Sequence, residues 1–117
     1  MSRIPAADRE LLTPSQIAAE ALGDWRYRAG KVSTRFATGS FARGLTLVDQ
    51  IGAEAERVDH HPDLDLRYAH VDVTLVSHDV GGVTRRDIRL ARTISEIAEQ
   101  LDAPAQPDAL EASESSG

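Results

Sequence analysis

The chain contains no cysteine in its 117 residues, and this absence excludes several kinds of chemistry. Disulfide bonds, thiolate nucleophiles and cysteine-ligated metal centres all need that residue. Apolar runs are also short, because none approaches the roughly 20 residues that a membrane-spanning helix requires. The first 14 residues hold no apolar segment typical of a secretory signal. We therefore expect a cytoplasmic protein with no membrane partner.

Basic residues are in deficit, with 13 Lys and Arg against 19 Asp and Glu and a formal net charge of −6. Direct nucleic-acid binding normally needs a concentrated basic face, so we do not expect it here. A local basic cluster nevertheless occurs at Arg85, Arg86, Arg89 and Arg92. The length fits one domain, and 41% hydrophobic residues are enough for a single modest core.

Composition divides the chain into three parts. Residues 1–12 are predicted to be a loose N-terminal leader, and residues 13–102 carry the periodic patterns of one folded domain. Residues 103–117 are rich in Pro, Ala, Ser and acidic residues and contain no basic residue. A segment of that composition buries too little apolar surface to offset the entropy of ordering it. We therefore predict a disordered acidic tail without a catalytic role.

The first two helices are indicated by their capping residues. Thr13 and Pro14 are typical of an N-cap and the first helical position, and Gly23 is predicted to end that helix. Ser40 can cap a long helix with apolar residues at helical spacing. That helix must end by about Asp59, because a residue that precedes proline is disfavoured in the helical conformation.

The remaining elements are a third helix and the strands. Thr84 is predicted to cap the third helix, with Asp87 in the capping-box position. Residues 25–38 alternate in polarity on both sides of an Ala-Gly turn, which indicates a hairpin. Residues 63–66 form a short extended piece, and Tyr68–Ser77 is the clearest strand, with apolar side chains on one face.

This order of elements predicts an α+β fold with a four-stranded antiparallel sheet and the helices on one face. A sheet of that size leaves its outer strands exposed. Pairing between subunits is one common way to protect such edges. We therefore expect the chain to form an oligomer.

Three of the four histidines lie at junctions between predicted elements. His60 and His61 follow the long helix and precede Pro62, and His78 follows the clearest strand. Imidazole is the side chain whose unperturbed pKa lies nearest neutral pH, so it can both give and take a proton there. These three residues are candidate acid/base groups, whereas His70 is interpreted as a surface residue of the strand.

Other roles for these residues remain open on the pattern alone. Three imidazoles could bind zinc, but adjacent residues of an extended segment point in opposite directions, which disfavours joint chelation by His60 and His61. Asp87 is explained by helix capping alone. Glu56, in the last turn of the long helix, is poorly placed for the helix dipole and either orients an imidazole or is simply solvated.

The stretch from Glu56 to Ala91 resembles the pterin-4a-carbinolamine dehydratases, also called 4a-hydroxytetrahydrobiopterin dehydratases. The family's motif has seven parts, and they follow one another here at the family's spacing. They are an acidic residue, a His-His-Pro run, an aromatic residue, a V-x-V-x-L strand, a third histidine, a Gly-Leu-Thr-type cap and an Arg-Asp pair. Here these are Glu56, His60-His61-Pro62, Tyr68, Val71, Val73, Leu75, Ser77-His78, Gly82-Val83-Thr84 and Arg86-Asp87. Upstream similarity at Trp25, Lys31–Phe36 and Phe41 extends the resemblance over about residues 12–101.

The resemblance implies a dehydratase that removes water from a 4a-hydroxytetrahydropterin to give a quinonoid dihydropterin, without a metal or a redox cofactor. His60 and His78 match the family's acid/base histidines, and His61 matches the histidine that mainly holds the pterin. The positions that match substrate-contacting segments are Pro62, Ser77, His78, Asp79 and Val80. Those that match supporting positions are Glu56, Arg86 and Asp87. The implied fold has three helices on one face of the four-stranded sheet.

The resemblance also implies partners. Members of the family form homodimers or homotetramers, and they regenerate the pterin that aromatic amino acid hydroxylases oxidise. Animal members additionally bind a homeodomain transcription factor as a dimerisation cofactor. The alternative function is therefore a protein-binding module with secondary catalysis, although the intact set of three histidines argues against a complete loss of catalysis.

Overall fold

The structure is a computed structural model that describes residues 4–110. A 3₁₀ helix at Ala6–Arg9 precedes seven elements in chain order. These are α1 (Pro14–Ala19), β1 (Arg26–Arg28), β2 (Lys31–Ala37), α2 (Phe41–Val58), β3 (Asp63–Leu66), β4 (His70–Leu75) and α3 (Arg85–Gln100). Among the described residues, no helix has the length and apolar character needed to cross a bilayer.

The four strands form one antiparallel sheet in the order β1-β2-β4-β3, which confirms the predicted fold class. Ala29 and Gly30 both have positive φ, as the tight turn of the β1–β2 hairpin requires. In the register of the central strands, Thr34 pairs with Val73, which also pairs with Leu64 of β3. Alternation along β2 and β4 directs one set of side chains into the core.

The core lies between that face of the sheet and the helices. Leu47 and Ile51 of α2 and Ile94 of α3 are fully buried against the apolar side chains of β2 and β4. Gly44 allows α2 to approach the sheet closely, because a Cβ at this position would lie 2.7 Å from Leu66 Cδ1. Because α2 packs closely on the sheet, the position of its C-terminal end is fixed, and His60 and His61 follow directly after that end.

Two predicted boundaries were wrong by a few residues. The helix α1 ends at Ala19 and not at Gly23, because Ala21 already adopts the left-handed conformation, with φ 53°. The strand β4 spans His70–Leu75, which is shorter than the predicted Tyr68–Ser77. At its start, the carbonyl of Ala69 accepts hydrogen bonds from the loop after β2 and not from a neighbouring strand.

The segment after α3 is more ordered than its composition predicts. The short strand β1 pairs only with residues 31–33, so the rest of that side of β2 lacks a strand partner. The chain fills this edge: Ala37 donates its N–H to Pro104 O at 2.9 Å, and Ala105 forms an antiparallel bridge with Phe36. Ala103 is buried. The predicted disordered tail therefore does not begin at residue 103, and residues 111–117 lie outside the described part of the chain.

One core position is expected to tolerate replacement with a gain in stability. Thr34 is fully buried, and its Oγ1 has no hydrogen-bond partner within residues 4–110. An unsatisfied buried hydroxyl is costly, and valine keeps the branched shape, so we expect Thr34→Val to raise the free energy of unfolding by about 1 kcal/mol. Urea unfolding measures this. Thr74→Val, on the opposite face of the sheet, is the control, and an unchanged midpoint for Thr34→Val would contradict the prediction.

Candidate active site

The end of α2 places the first two histidines. Asp59 caps this helix in the left-handed conformation, with φ 52°, and the N–H of His60 donates to Ala55 O at 3.1 Å. The chain therefore turns sharply within one residue and stays beside the helix. This turn buries His60, of which 8% is exposed, and leaves His61 exposed.

His60 is held by a buried carboxylate. Its Nε2 lies 2.6 Å from Asp87 Oδ1, and Asp87 is 0% exposed in the first turn of α3. The other oxygen of Asp87 accepts the backbone N–H of Thr84 at 2.9 Å, which completes the predicted capping box. One side chain thus caps a helix and orients an imidazole, so the two interpretations of Asp87 hold together.

Ser77 belongs to the support of this pair. Its hydroxyl donates to Asp87 Oδ2 at 2.8 Å and lies 2.8 Å from Thr84 Oγ1, and the whole residue is buried. The resemblance implied that Ser77 contacts substrate. In the structure the Ser77 hydroxyl is directed to the carboxylate that holds His60, and a contact of Ser77 with substrate stays a prediction.

A tight loop after β4 presents the third histidine. The N–H of Ser77 donates to Gly82 O at 2.8 Å, and Ser77 O accepts the N–H of Gly81 at 2.9 Å. Gly81 has φ 74°, a conformation that side-chain-bearing residues rarely adopt. His78 and Asp79 lie at the exposed side of this loop, so the loop directs them away from the core.

The three candidate histidines meet at one cleft of about 260 Å³. Its lining consists of Ile4, Asp59, His60, His61, Val76, His78, Asp79 and Arg86. Among the predicted substrate contacts, Pro62, Ser77 and Val80 are not part of this lining. Ile4 and Val76 were not predicted. No sequence signal identifies Ile4, because it comes from the segment predicted to be a loose leader.

Asp79 and Arg86 form an ion pair at the wall of the cleft. The Arg86 guanidinium donates from one nitrogen to both carboxylate oxygens of Asp79, at 2.9 and 3.1 Å. This hydrogen bonding lowers the pKa of Asp79 below its usual value of 3.8. Asp79 is therefore a carboxylate at neutral pH and has no proton to donate there.

His61 has an acidic partner of its own. Its Nε2 contacts Glu56 Oε2, and the two side chains are 53% and 76% exposed. Exposed pairs of this kind contribute little stability, because water screens them and both side chains lose conformational freedom. Glu56 thus contacts an imidazole and is also largely exposed to solvent, and its role in orienting His61 stays a prediction.

The arrangement of these side chains gives no obvious metal-binding set. The Nε2 atoms of His60 and His61 face different carboxylates, those of Asp87 and Glu56. Within residues 4–110, no three or more His, Asp or Glu side chains are grouped so that they could hold a metal ion. His70 lies apart from the cleft on the open face of the sheet, 3.9 Å from Asp72.

Comparisons with known proteins identify a family. The family model for pterin 4 alpha carbinolamine dehydratase matches residues 10–97. A Nocardia farcinica protein named "Putative pterin-4-alpha-carbinolamine dehydratase" is 44% identical over 91 residues, which cover 76% of this chain and 96% of that protein. A Thermosynechococcus vestitus protein of the same name is 36% identical over 91 residues, with the same coverage of both chains.

Solved structures give the same fold. A transcriptional coactivator/pterin dehydratase from Brucella melitensis superposes with a TM-score of 0.73 at 33% identity, and the match covers 76% of this chain and 99% of that one. A pterin dehydratase-like RuBisCO assembly factor of the alpha-carboxysome has a TM-score of 0.53 at 23% identity over 63% of this chain and 86% of its own, a likeness of fold alone. On the extent of the family match and the identity to its relatives, this chain belongs to the pterin-4a-carbinolamine dehydratase family.

Proposed function

We propose that the chain is a hydro-lyase that dehydrates a 4a-hydroxytetrahydropterin, as 4a-hydroxytetrahydrobiopterin dehydratases do in pterin recycling. The observation that carries this proposal is the meeting of His60, His61 and His78 in one cleft, with His60 held by the buried Asp87. Two proton-transferring groups beside one small cleft are what a reaction that removes water from adjacent atoms needs.

The reaction breaks the bond between C4a and its hydroxyl and removes the proton from N5. The C4a–N5 double bond forms, water leaves, and no electrons are transferred to or from an outside partner. One imidazole protonates the leaving hydroxyl while another accepts the N5 proton. At neutral pH such transfers typically accelerate a reaction by about 10²–10⁴-fold for each positioned group.

The hydrogen bonds of His60 suit it to the role of base. When Nε2 donates its hydrogen to Asp87, Nδ1 carries the lone pair that can accept a proton. A carboxylate behind an imidazole also stabilises the imidazolium that then forms. His78, on the exposed loop across the cleft, is left to protonate the hydroxyl, and His61 with Glu56 holds the pterin ring.

The direct test follows the decay of enzymatically generated 4a-hydroxytetrahydropterin by ultraviolet absorbance. We expect catalytic amounts of the protein to speed this decay in proportion to protein concentration, with and without a chelator. A decay rate equal to that without protein would overturn the proposal. Inhibition by the chelator that added zinc reverses would restore the metal-site interpretation.

A second candidate function is a protein-binding module. The Brucella melitensis relative is described as a transcriptional coactivator as well as a pterin dehydratase. In this chain Phe41 and Leu45 are large exposed apolar residues one turn apart on α2, the kind of surface that a partner helix or a second copy of the chain covers. If the protein fails to speed the decay, a partner retained by both the wild type and His60→Ala would support this candidate.

A further inference from the structure

The segment that precedes the family-matched region contributes to the candidate site. The family model begins at residue 10, whereas Ile4 already lines the cleft with the three histidines. We call residues 4–12 the N-terminal strap. Ile4 is a large apolar side chain that is 36% exposed at a cleft whose other side chains are mostly polar. Among the described residues, Ile4 belongs neither to the hydrophobic core nor to the partly buried apolar residues packed against it, so core packing does not account for its position.

The strap is attached to α3 by a clamp around Asp8. The carboxylate of Asp8 accepts two hydrogen bonds from Arg89, at 2.7 and 3.2 Å, and its backbone carbonyl accepts Arg86 Nε at 2.8 Å. The hydrogen bonds from Arg89 lower the pKa of Asp8, so this carboxylate is charged at neutral pH. Bidentate pairing of this kind restricts geometry as well as adding attraction.

Arg86 links the strap to the loop that carries His78. While its Nε holds the carbonyl of Asp8, its terminal nitrogen holds the carboxylate of Asp79. Further along, Leu12 donates its N–H to Val83 O at 2.9 Å. Gly82 leaves room for the strap, because a Cβ there would lie 2.7 Å from Leu11 Cδ2. The strap is therefore attached to the loop after β4 and to α3 by these hydrogen bonds, and it forms part of the wall of the cleft.

We infer that the N-terminal strap is a substrate-binding element, in which Ile4 packs against the bound pterin and the Asp8 clamp holds Ile4 in place. This inference rests on the proposed function and adds a binding residue that lies outside the family-matched region. Ile4 offers no proton and no charge, so it contributes contact area and excludes water. It should therefore act on substrate binding and leave the proton transfers unchanged.

The test separates KM from kcat. We expect Ile4→Ser to raise KM about tenfold, the effect of losing part of a buried aliphatic contact, with kcat within about twofold of wild type. Asp8→Arg and Arg89→Asp should each raise KM because each breaks the clamp, and the double variant that exchanges the charges should recover most of the loss. Asp49→Asn, an exposed acid on α2, is the matched control.

Each outcome bears on the inference. Unchanged KM for Ile4→Ser in an active enzyme overturns it, as does a charge exchange that rescues nothing. Folding is monitored by urea unfolding, so that a loss of stability is not mistaken for a loss of binding. If the wild type has no activity, the proposed function fails, and titration with 7,8-dihydrobiopterin replaces the kinetics. Weaker binding by Ile4→Ser then supports the strap, and equal or absent binding overturns it.

Discussion

Replacing His60 or His78 with alanine is expected to lower kcat by about 10²–10⁴-fold, because each variant removes one of the two groups that move protons in the proposed reaction. KM should change far less, since His61, Asp79 and Arg86 still line the cleft. The measurement is the initial rate of 4a-hydroxytetrahydropterin decay over a range of substrate concentrations, corrected for the rate without protein.

The control for both variants is His70→Ala, which removes an imidazole from the open face of the sheet and leaves the cleft intact. Its rate should equal that of the wild type. Full activity in His60→Ala would remove His60 from the mechanism, and full activity in His78→Ala would do the same for His78. A rise in KM with an unchanged kcat would instead show that the residue binds substrate and does not transfer a proton.

Replacing Asp87 with asparagine should also lower kcat strongly. The asparagine side chain keeps the shape but has a single oxygen, and if that oxygen accepts the N–H of Thr84, its amide N–H faces His60 Nε2. The imidazole must then carry its hydrogen on Nδ1, the wrong tautomer for a base facing the cleft. In serine proteases, replacing the aspartate that orients the catalytic histidine with asparagine is known to lower kcat about 10⁴-fold. We therefore expect a decrease of about 10²–10⁴-fold here.

The same substitution should also destabilise the fold. Ser77 and Thr84 both donate to one oxygen of Asp87, and the asparagine oxygen in that place still accepts both hydrogen bonds. Hydrogen bonds to a neutral acceptor are roughly half as strong as those to a carboxylate, so we expect a loss of about 1–2 kcal/mol. The urea unfolding midpoint should therefore fall together with kcat. Asp49→Asn again serves as the exposed control, with no expected change in either quantity.

A double variant separates the catalytic effect of Asp87 from the structural one. If Asp87 acts through His60, adding Asp87→Asn to His60→Ala should lower kcat little further, because groups that act as a unit are not additive. The free energy of unfolding is measured by urea for both single variants and for the double variant. Fully multiplicative losses in kcat would show that Asp87 acts independently of His60. A folded Asp87→Asn with wild-type kcat would contradict the positioning role.

The buried network explains how so small a domain can support a fixed imidazole. Asp87 is already required where it stands, because it completes the cap of α3 with Thr84. The other oxygen of Asp87 binds His60, so positioning the imidazole requires no second buried carboxylate. Ser77, which follows β4, donates its hydroxyl hydrogen to the same carboxylate. One carboxylate therefore holds together the cap of α3, the residue Ser77 after β4, and the candidate catalytic group His60.

Local sequence signals were sufficient for the elements that carry the site. Thr84 and Asp87 indicate a helix start because both groups of a capping box lie within four residues. Pro62 indicates where α2 must end, and the alternation along β4 indicates which of its side chains are buried. These features depend on near neighbours in the chain, so the α+β fold and the three candidate histidines could be predicted without the structure.

The contacts across the fold could not be predicted in this way, because they join residues far apart in sequence. Composition suggested loose ends, yet the chain after α3 pairs with the open edge of β2, and the strap reaches the cleft through Asp8 and two arginines of α3. Likewise, Ser77 matches a substrate-contacting position, but its hydroxyl donates to Asp87 of α3, ten residues further along the chain. Short-range propensity and motif spacing determine which residues are available. Which of them face the cleft, and which support it from below, depends on long-range packing that no local pattern encodes.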